Sequence, residues 1–74
     1  FFIMGEVQRP GQYPYVPGMT VLTAVSIAGG YTFRADTGDV SITRKSNQQV
    51  LKGRAKPTSF ALPGDTIRVF EGWF

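Results

Sequence analysis

Seventy-four residues, 42% of them hydrophobic and 14% aromatic, suffice for one small packed domain and are too apolar for a disordered tail. There is no cysteine and no histidine, which excludes a disulfide scaffold, the common zinc sites and any nucleophile–base pair built on those residues. The net charge of +3 is uneven, because residues 34–56 hold Arg34, Arg44, Lys45, Lys52, Arg54 and Lys56 against only Asp36 and Asp39.

Residues 1–7 read as a strand, with Phe1, Ile3, Gly5 and Val7 on one face and Phe2, Met4 and Glu6 on the other. Gly5 within it implies a close approach by another backbone, with the packed helix as the expected neighbour. Arg9-Pro10-Gly11-Gln12 fits a type II turn, proline fixing φ at its second position and glycine supplying a positive φ at its third. Residues 12–16 then return antiparallel, carrying Tyr13 and Tyr15 on one face, and Pro14 makes this a short or edge strand.

The stretch 20–32, TVLTAVSIAGGYT, reads as the only helix. Thr20 is its N-cap, and Val21, Ala24, Val25 and Ala28 recur at the i, i+3, i+4, i+7 spacing of a buried face. Leu22 and Ile27 widen that stripe, Thr23 and Ser26 face outward, and Gly29 or Gly30 supplies the left-handed residue that closes the helix. Fewer than three turns do not persist alone in water, so this helix needs a sheet to lie on.

Residues 31–36 have no period and read as an ordered loop anchored by its aromatics. Val40, Ile42 and Arg44 alternate with Ser41, Thr43 and Lys45, the pattern of a half-buried strand. Ser46-Asn47-Gln48 connects it to a short return strand at 49–52, and the polar, basic stretch 53–59 reads as a mobile excursion. After the Pro63-Gly64-Asp65 turn, residues 66–70 form the last strand, with Ile67 and Val69 inward and Arg68 outward. The order strand, strand, helix, strand, strand, strand is that of an α+β, β-grasp (ubiquitin-like) domain. Its sheet is mixed, of four to five strands, with one helix on one face.

No apolar run approaches the roughly 20 residues of a membrane span, and no signal peptide is visible. Residues 1–74 read as a single domain cut from a longer chain, since Phe1 stands inside a strand pattern and Trp73-Phe74 ends the sequence. Trp73 and Phe74 are expected to seal the sheet end, touch a neighbouring domain or sit near a membrane-proximal segment.

Three segments in order, GEVQRPGQYPY at 5–15, PGMTVLTAVSIAGGYTFRAD at 17–36 and LPGDTIRVFEGWF at 62–74, resemble the soluble-ligand-binding β-grasp (SLBB) domain. The resemblance is to its version in bacterial outer-membrane polysaccharide export proteins of the Wza-like group. It spans nearly the whole chain apart from the basic stretch 45–59. It implies a periplasmic module of an outer-membrane-associated protein, assembling with neighbouring domains and subunits into a homo-oligomeric conduit for polysaccharide. SLBB domains also occur in cobalamin carriers, respiratory-complex subunits and competence DNA receptors, and a shared fold does not fix the ligand.

Catalysis is not expected, because Glu6, Asp36, Asp39, Asp65 and Glu71 are scattered over turns and strand ends. Asp65 is more simply a turn residue bonded to nearby backbone. No cofactor or metal site is expected either, since the glycines close a helix where a phosphate cradle needs one to begin. Candidate contacts to glycan or subunit are Tyr31 and Arg34 in the loop, then Arg44, Lys45, Lys52 and Arg54 in the basic half. An aromatic face can lie on sugar CH groups while arginine binds an acidic substituent. Against this, Tyr31 can equally anchor the loop, Phe33 is expected to do so, and the cations can simply guard an edge strand. Nucleic acid is the competing partner, favoured by the basic stretch and weakened by the lack of any aromatic between Arg44 and Lys56.

Overall fold

A computed structural model describes residues 1–72. The elements are β1 (Phe2–Gly5), β2 (Gly11–Gln12), α1 (Val21–Ile27), β3 (Ala35–Ser46), β4 (Gln49–Ala55) and β5 (Thr66–Glu71). One five-stranded sheet runs β2-β1-β5-β3-β4, with β1 parallel to β5 and the other neighbours antiparallel. The fold is α+β and β-grasp-like, one helix on a mixed sheet, as expected. The roles considered for Trp73 and Phe74 fall outside the described residues.

The helix is closed at both ends by its own sequence. Thr20 Oγ1 accepts from the Thr23 amide at 3.3 Å while Thr23 Oγ1 accepts from the Thr20 amide at 3.4 Å, a reciprocal cap that satisfies two donors. At the other end Gly29 donates to Ser26 O (3.0 Å) and Gly30 to Val25 O (2.9 Å), with φ of +88° and +93°. Those bonds are the Schellman pattern, which requires left-handed backbone and hence glycine. Val21, Ala24, Val25 and Ala28 are buried against Ile3, Val40, Ile42, Ile67 and Val69, which form the sheet's share of the core. Leu22, assigned to the buried stripe, is instead half exposed, because it lies on the flank of the short helix beyond the sheet's reach. Ile27 is partly buried against the core as expected.

Gly30→Val is expected to cost about 1–2 kcal/mol through its left-handed φ, since open space surrounds the position of the added Cβ. Arg34→Ala is expected to stay within about 0.5 kcal/mol of the parent, because that side chain is exposed. Denaturant midpoints of the two variants check both.

The first hairpin differs from its expected form. Gly11 and Gln12 are themselves the paired residues, opposite Ile3 and Phe2, so residues 4–10 make a wide connection in place of a tight turn. The cause is competition for backbone groups: Gln8 donates to Gly30 O at 2.9 Å and Arg9 to Ala28 O at 2.8 Å, which ties the end of the first strand to the helix terminus. Beyond Gln12, Tyr13 exchanges backbone bonds with Phe1, and then the chain leaves the sheet at Pro14. The close neighbour of Gly5 is likewise not the helix. It is β5, whose Val69 carbonyl oxygen would stand 2.1 Å from an added Cβ.

The second hairpin is longer than expected. β4 runs to Ala55, joined to β3 through Asn47 and Gln48, both at positive φ (+49° and +66°) in a two-residue loop that matches strand twist. The stretch 53–59 is therefore no mobile excursion. Its first residues are β4, and its last ones serve the helix: Val21 and Leu22 donate to Ser59 O (2.9 Å) and Pro57 O (3.0 Å). First-turn amides have no acceptor within the helix, and this loop supplies two.

Candidate functional site

Because the helix occupies one side of the sheet, alternation along the strands sends every second side chain to a face it does not cover. Register assembles that open face from residues far apart in sequence. Met4, Arg68, Ser41 and Arg54 stand in one row across β1, β5, β3 and β4. Gln12, Phe2, Thr66, Thr43 and Lys52 form the next, and Lys45 opposite Val50 carries the cationic side on to the hairpin tip.

At the centre, Ser41, Lys52, Gly53, Arg54, Arg68 and Phe70 line a shallow cavity of about 270 Å³. Ser41 is buried although it faces away from the helix, as Arg54 and Arg68 flank it on both neighbouring strands. The Arg54 guanidinium lies over the Phe70 ring, 5.2 Å from its centroid, an arrangement that orients the cation without neutralising it. Phe2 and Met4 leave apolar surface beside the cations, at 47% and 42% exposure. Asp39 is the acidic group at one end: Lys56 Nζ holds it at 2.8 Å, and Arg54 Nη1 is 3.9 Å away. The Lys56 hydrogen bond keeps the Asp39 carboxyl below the usual carboxylate range. Arg54 makes no shorter ion pair among the described residues, so its charge is available to a partner.

Of the six candidates from sequence, the fold brings Lys45, Lys52 and Arg54 together on this face. Arg44 points to the opposite side, where Nε and Nη2 donate to the two carboxylate oxygens of Asp65 at 2.9 and 2.8 Å. Its fork is committed to a structural pair, and that pair raises its own pKa further. Asp65 is fully buried and also accepts from the Leu62 amide at 2.8 Å, so the expected turn bond exists alongside an ion pair the spacing did not reveal.

Tyr31 and Arg34 sit apart from the open face, at the turn after the helix. Tyr31 packs partly against the core with its hydroxyl buried and unpartnered among the described residues, and that burial, then Asp36, raises its pKa. Phe33, expected to anchor the loop, is 87% exposed, with the Arg34 guanidinium 5.5 Å from its ring centroid. The loop is held by Thr32 instead, whose hydroxyl donates to Glu6 at 2.8 Å and whose amide donates to Glu6 O at 3.1 Å. Tyr13 and Tyr15 are both inward, their hydroxyls donating to Arg9 O and Ala61 O.

Arg68, Phe70, Phe2 and Met4 are the members of the face that the sequence reading did not gather. Their outward phase was legible from alternation. What was missing was the pairing that inserts β5 between β1 and β3.

Fold and site together define a small β-grasp-like domain with one core and, among the described residues, one sheet face that the helix does not cover, carrying a cluster of cations beside apolar side chains. The family model described as "SLBB domain" matches residues 1–56, and the chain belongs to that family. The match takes in most of the 45–59 stretch that the resemblance had set aside, and it stops short of the 62–74 segment. A curated relative, "Exopolysaccharide production protein ExoF" of Rhizobium meliloti (strain 1021), is 60% identical over 37 residues. That alignment covers 50% of this chain and 9% of the relative.

Proposed function

We propose that this chain is an interaction and assembly module of a polysaccharide export protein, working in the periplasm and supplying contacts and no bond chemistry. The likeness to an exopolysaccharide production protein supports the setting. The observation that carries the contact is the open face, where Lys52, Arg54 and Arg68 surround Ser41 and Phe70 in one shallow cavity. Acidic substituents of a glycan would meet the cations, arginine offering paired donors to a carboxylate, while sugar CH groups would lie on Phe2 and Met4. Neighbouring domains and subunits of the same exporter are the other partners of the reading.

Nucleic acid keeps one observation in its favour. The aromatic rings absent from 44–56 are supplied on the same face by Phe2 and Phe70, from β1 and β5. The relative's name weighs toward glycan, and a direct comparison separates the two. In affinity electrophoresis through gels containing acidic exopolysaccharide, combining Lys52→Ala, Arg54→Ala and Arg68→Ala is expected to weaken retardation about 10- to 100-fold. The fold should stand, because all three side chains are exposed. Unchanged retardation in a folded triple variant contradicts the assignment of this face. Stronger loss of binding to a DNA duplex of matched charge than to glycan moves the function to nucleic acid.

A further inference from the structure

β4 is the outer strand of the sheet, and its free edge runs for seven residues without a proline. In the two-residue hairpin loop, Ser46 and Gln49 are the hydrogen-bonded closing pair. Antiparallel pairs alternate between bonded and non-bonded, so Arg44–Leu51, Ile42–Gly53 and Val40–Ala55 are bonded pairs as well. Val50, Lys52 and Arg54 therefore turn their backbone N–H and C=O groups outward, away from β3. Among the described residues no other backbone bond uses those amides. The edge is an open template three residue pairs long.

Its two sides differ in chemistry. On the open-face side stand Lys52 and Arg54. On the helix side, Leu51, Gly53 and Ala55 border a cavity of about 310 Å³ with Ile42, Arg44 and Phe60 among its walls. Leu51 and Phe60 are 50% and 68% exposed there, and Gly53 leaves the middle of the trough unfilled. A strand added at this edge would set alternate side chains above Lys52 and Arg54 and the intervening ones into the trough beside Leu51 and Phe60.

We propose that the β4 edge docks an extended segment of another protein in which acidic and apolar residues alternate, extending the sheet to six strands. Charge selects this occupant. A second copy pairing β4 to β4 would bring Lys52 and Arg54 of both chains onto one short face, where like charges repel. Acidic residues opposite the same two cations turn that repulsion into attraction, while the trough takes valine- or isoleucine-sized side chains. The inference shares Lys52 and Arg54 with the glycan reading but rests on main-chain pairing, which a polysaccharide cannot provide in strand register.

The test is amide hydrogen exchange of this chain, followed by NMR, with a capped seven-residue peptide of alternating valine and glutamate. A valine–lysine peptide serves as control. The expected result is exchange at Val50, Lys52 and Arg54 slowed at least about tenfold by the glutamate peptide alone, with shifts at Leu51 and Phe60. Combining Lys52→Glu with Arg54→Glu should transfer that protection to the lysine peptide. Shifts at the cations without slowed exchange mean a polyanion contact only and overturn strand addition, whatever becomes of glycan binding. Protection that grows with protein concentration and needs no peptide assigns the edge to a second copy and overturns the proposal, as does no change with either peptide.

Discussion

Gly5→Ala is expected to destabilise this domain by about 3–4 kcal/mol and to loosen the seam between its first and last strands. Gly5 is opposite Val69 in the parallel β1–β5 pairing, with φ of +86°. An alanine there meets two penalties. The left-handed conformation costs about 1–2 kcal/mol for any L-side chain. The new methyl would also stand 2.1 Å from the Val69 carbonyl oxygen, which is backbone and already accepts from the Glu6 amide at 3.1 Å. Relief requires β1 and β5 to separate, and with them Ile3, Ile67 and Val69 at the centre of the core. A domain of this length holds roughly 4–11 kcal/mol in total, so the variant should be near the limit of folding. Urea unfolding measures the loss, and amide exchange across β1 and β5 localises it. A loss under about 1 kcal/mol contradicts the register that sets Gly5 against Val69.

Arg44→Ala is expected to cost about 3 kcal/mol, and the cost should depend on pH. Asp65 is fully buried, and its carboxylate is held by the Arg44 fork and the Leu62 amide. Burial alone would raise its pKa. The Arg44 hydrogen bonds, the Leu62 bond and the Arg44 charge more than reverse that, so its pKa lies below the usual carboxylate value. A carboxyl with a depressed folded pKa contributes stability that is complete above its unfolded value, about 3.9, and disappears as pH falls through the folded one. The parent should therefore hold its urea midpoint from neutrality down to about pH 5 and lose stability below about pH 4. In Arg44→Ala burial is left to dominate and the carboxyl pKa rises. Stability is then lowest at neutral pH, and the gap to the parent narrows on acidification as Asp65 takes up a proton. A gap that stays constant between pH 7 and pH 4 contradicts a buried, charged Asp65 held by this pair.

Much of the fold was legible from local pattern. The Thr20 cap, the Val21-Ala24-Val25-Ala28 stripe, the paired glycines and the Ile67/Val69 phase each need only neighbours within a few residues. The failures share a different cause, dependence on contacts between distant segments. Gly5 signalled a close backbone correctly, but which backbone depended on β5 entering the sheet beside β1. The 53–59 stretch looks unstructured from composition because its role, accepting from the Val21 and Leu22 amides, is tertiary. Phe33 reads as an anchor by its apolarity, yet the Thr32–Glu6 bonds do the anchoring and leave the ring in solvent. Alternation sets Arg44 on the face of Val40 and Ile42 and Lys45 on the other. What it leaves hidden is the partner, Asp65, which the fold brings to Arg44 from the turn before β5.

The proposed glycan contact lies on that open face, and an NMR amide-shift titration of this chain is its most direct test. Acidic exopolysaccharide oligosaccharides and a DNA duplex of matched charge would be compared at low and moderate salt. Glycan-induced shifts are expected at Ser41, Lys52, Arg54, Arg68 and Phe70, weakened but not abolished by salt, with smaller and steeply salt-sensitive effects from DNA. Shifts confined to residues 31–36, where Phe33 and Arg34 stand exposed, or no shifts with glycan at any salt, would contradict it.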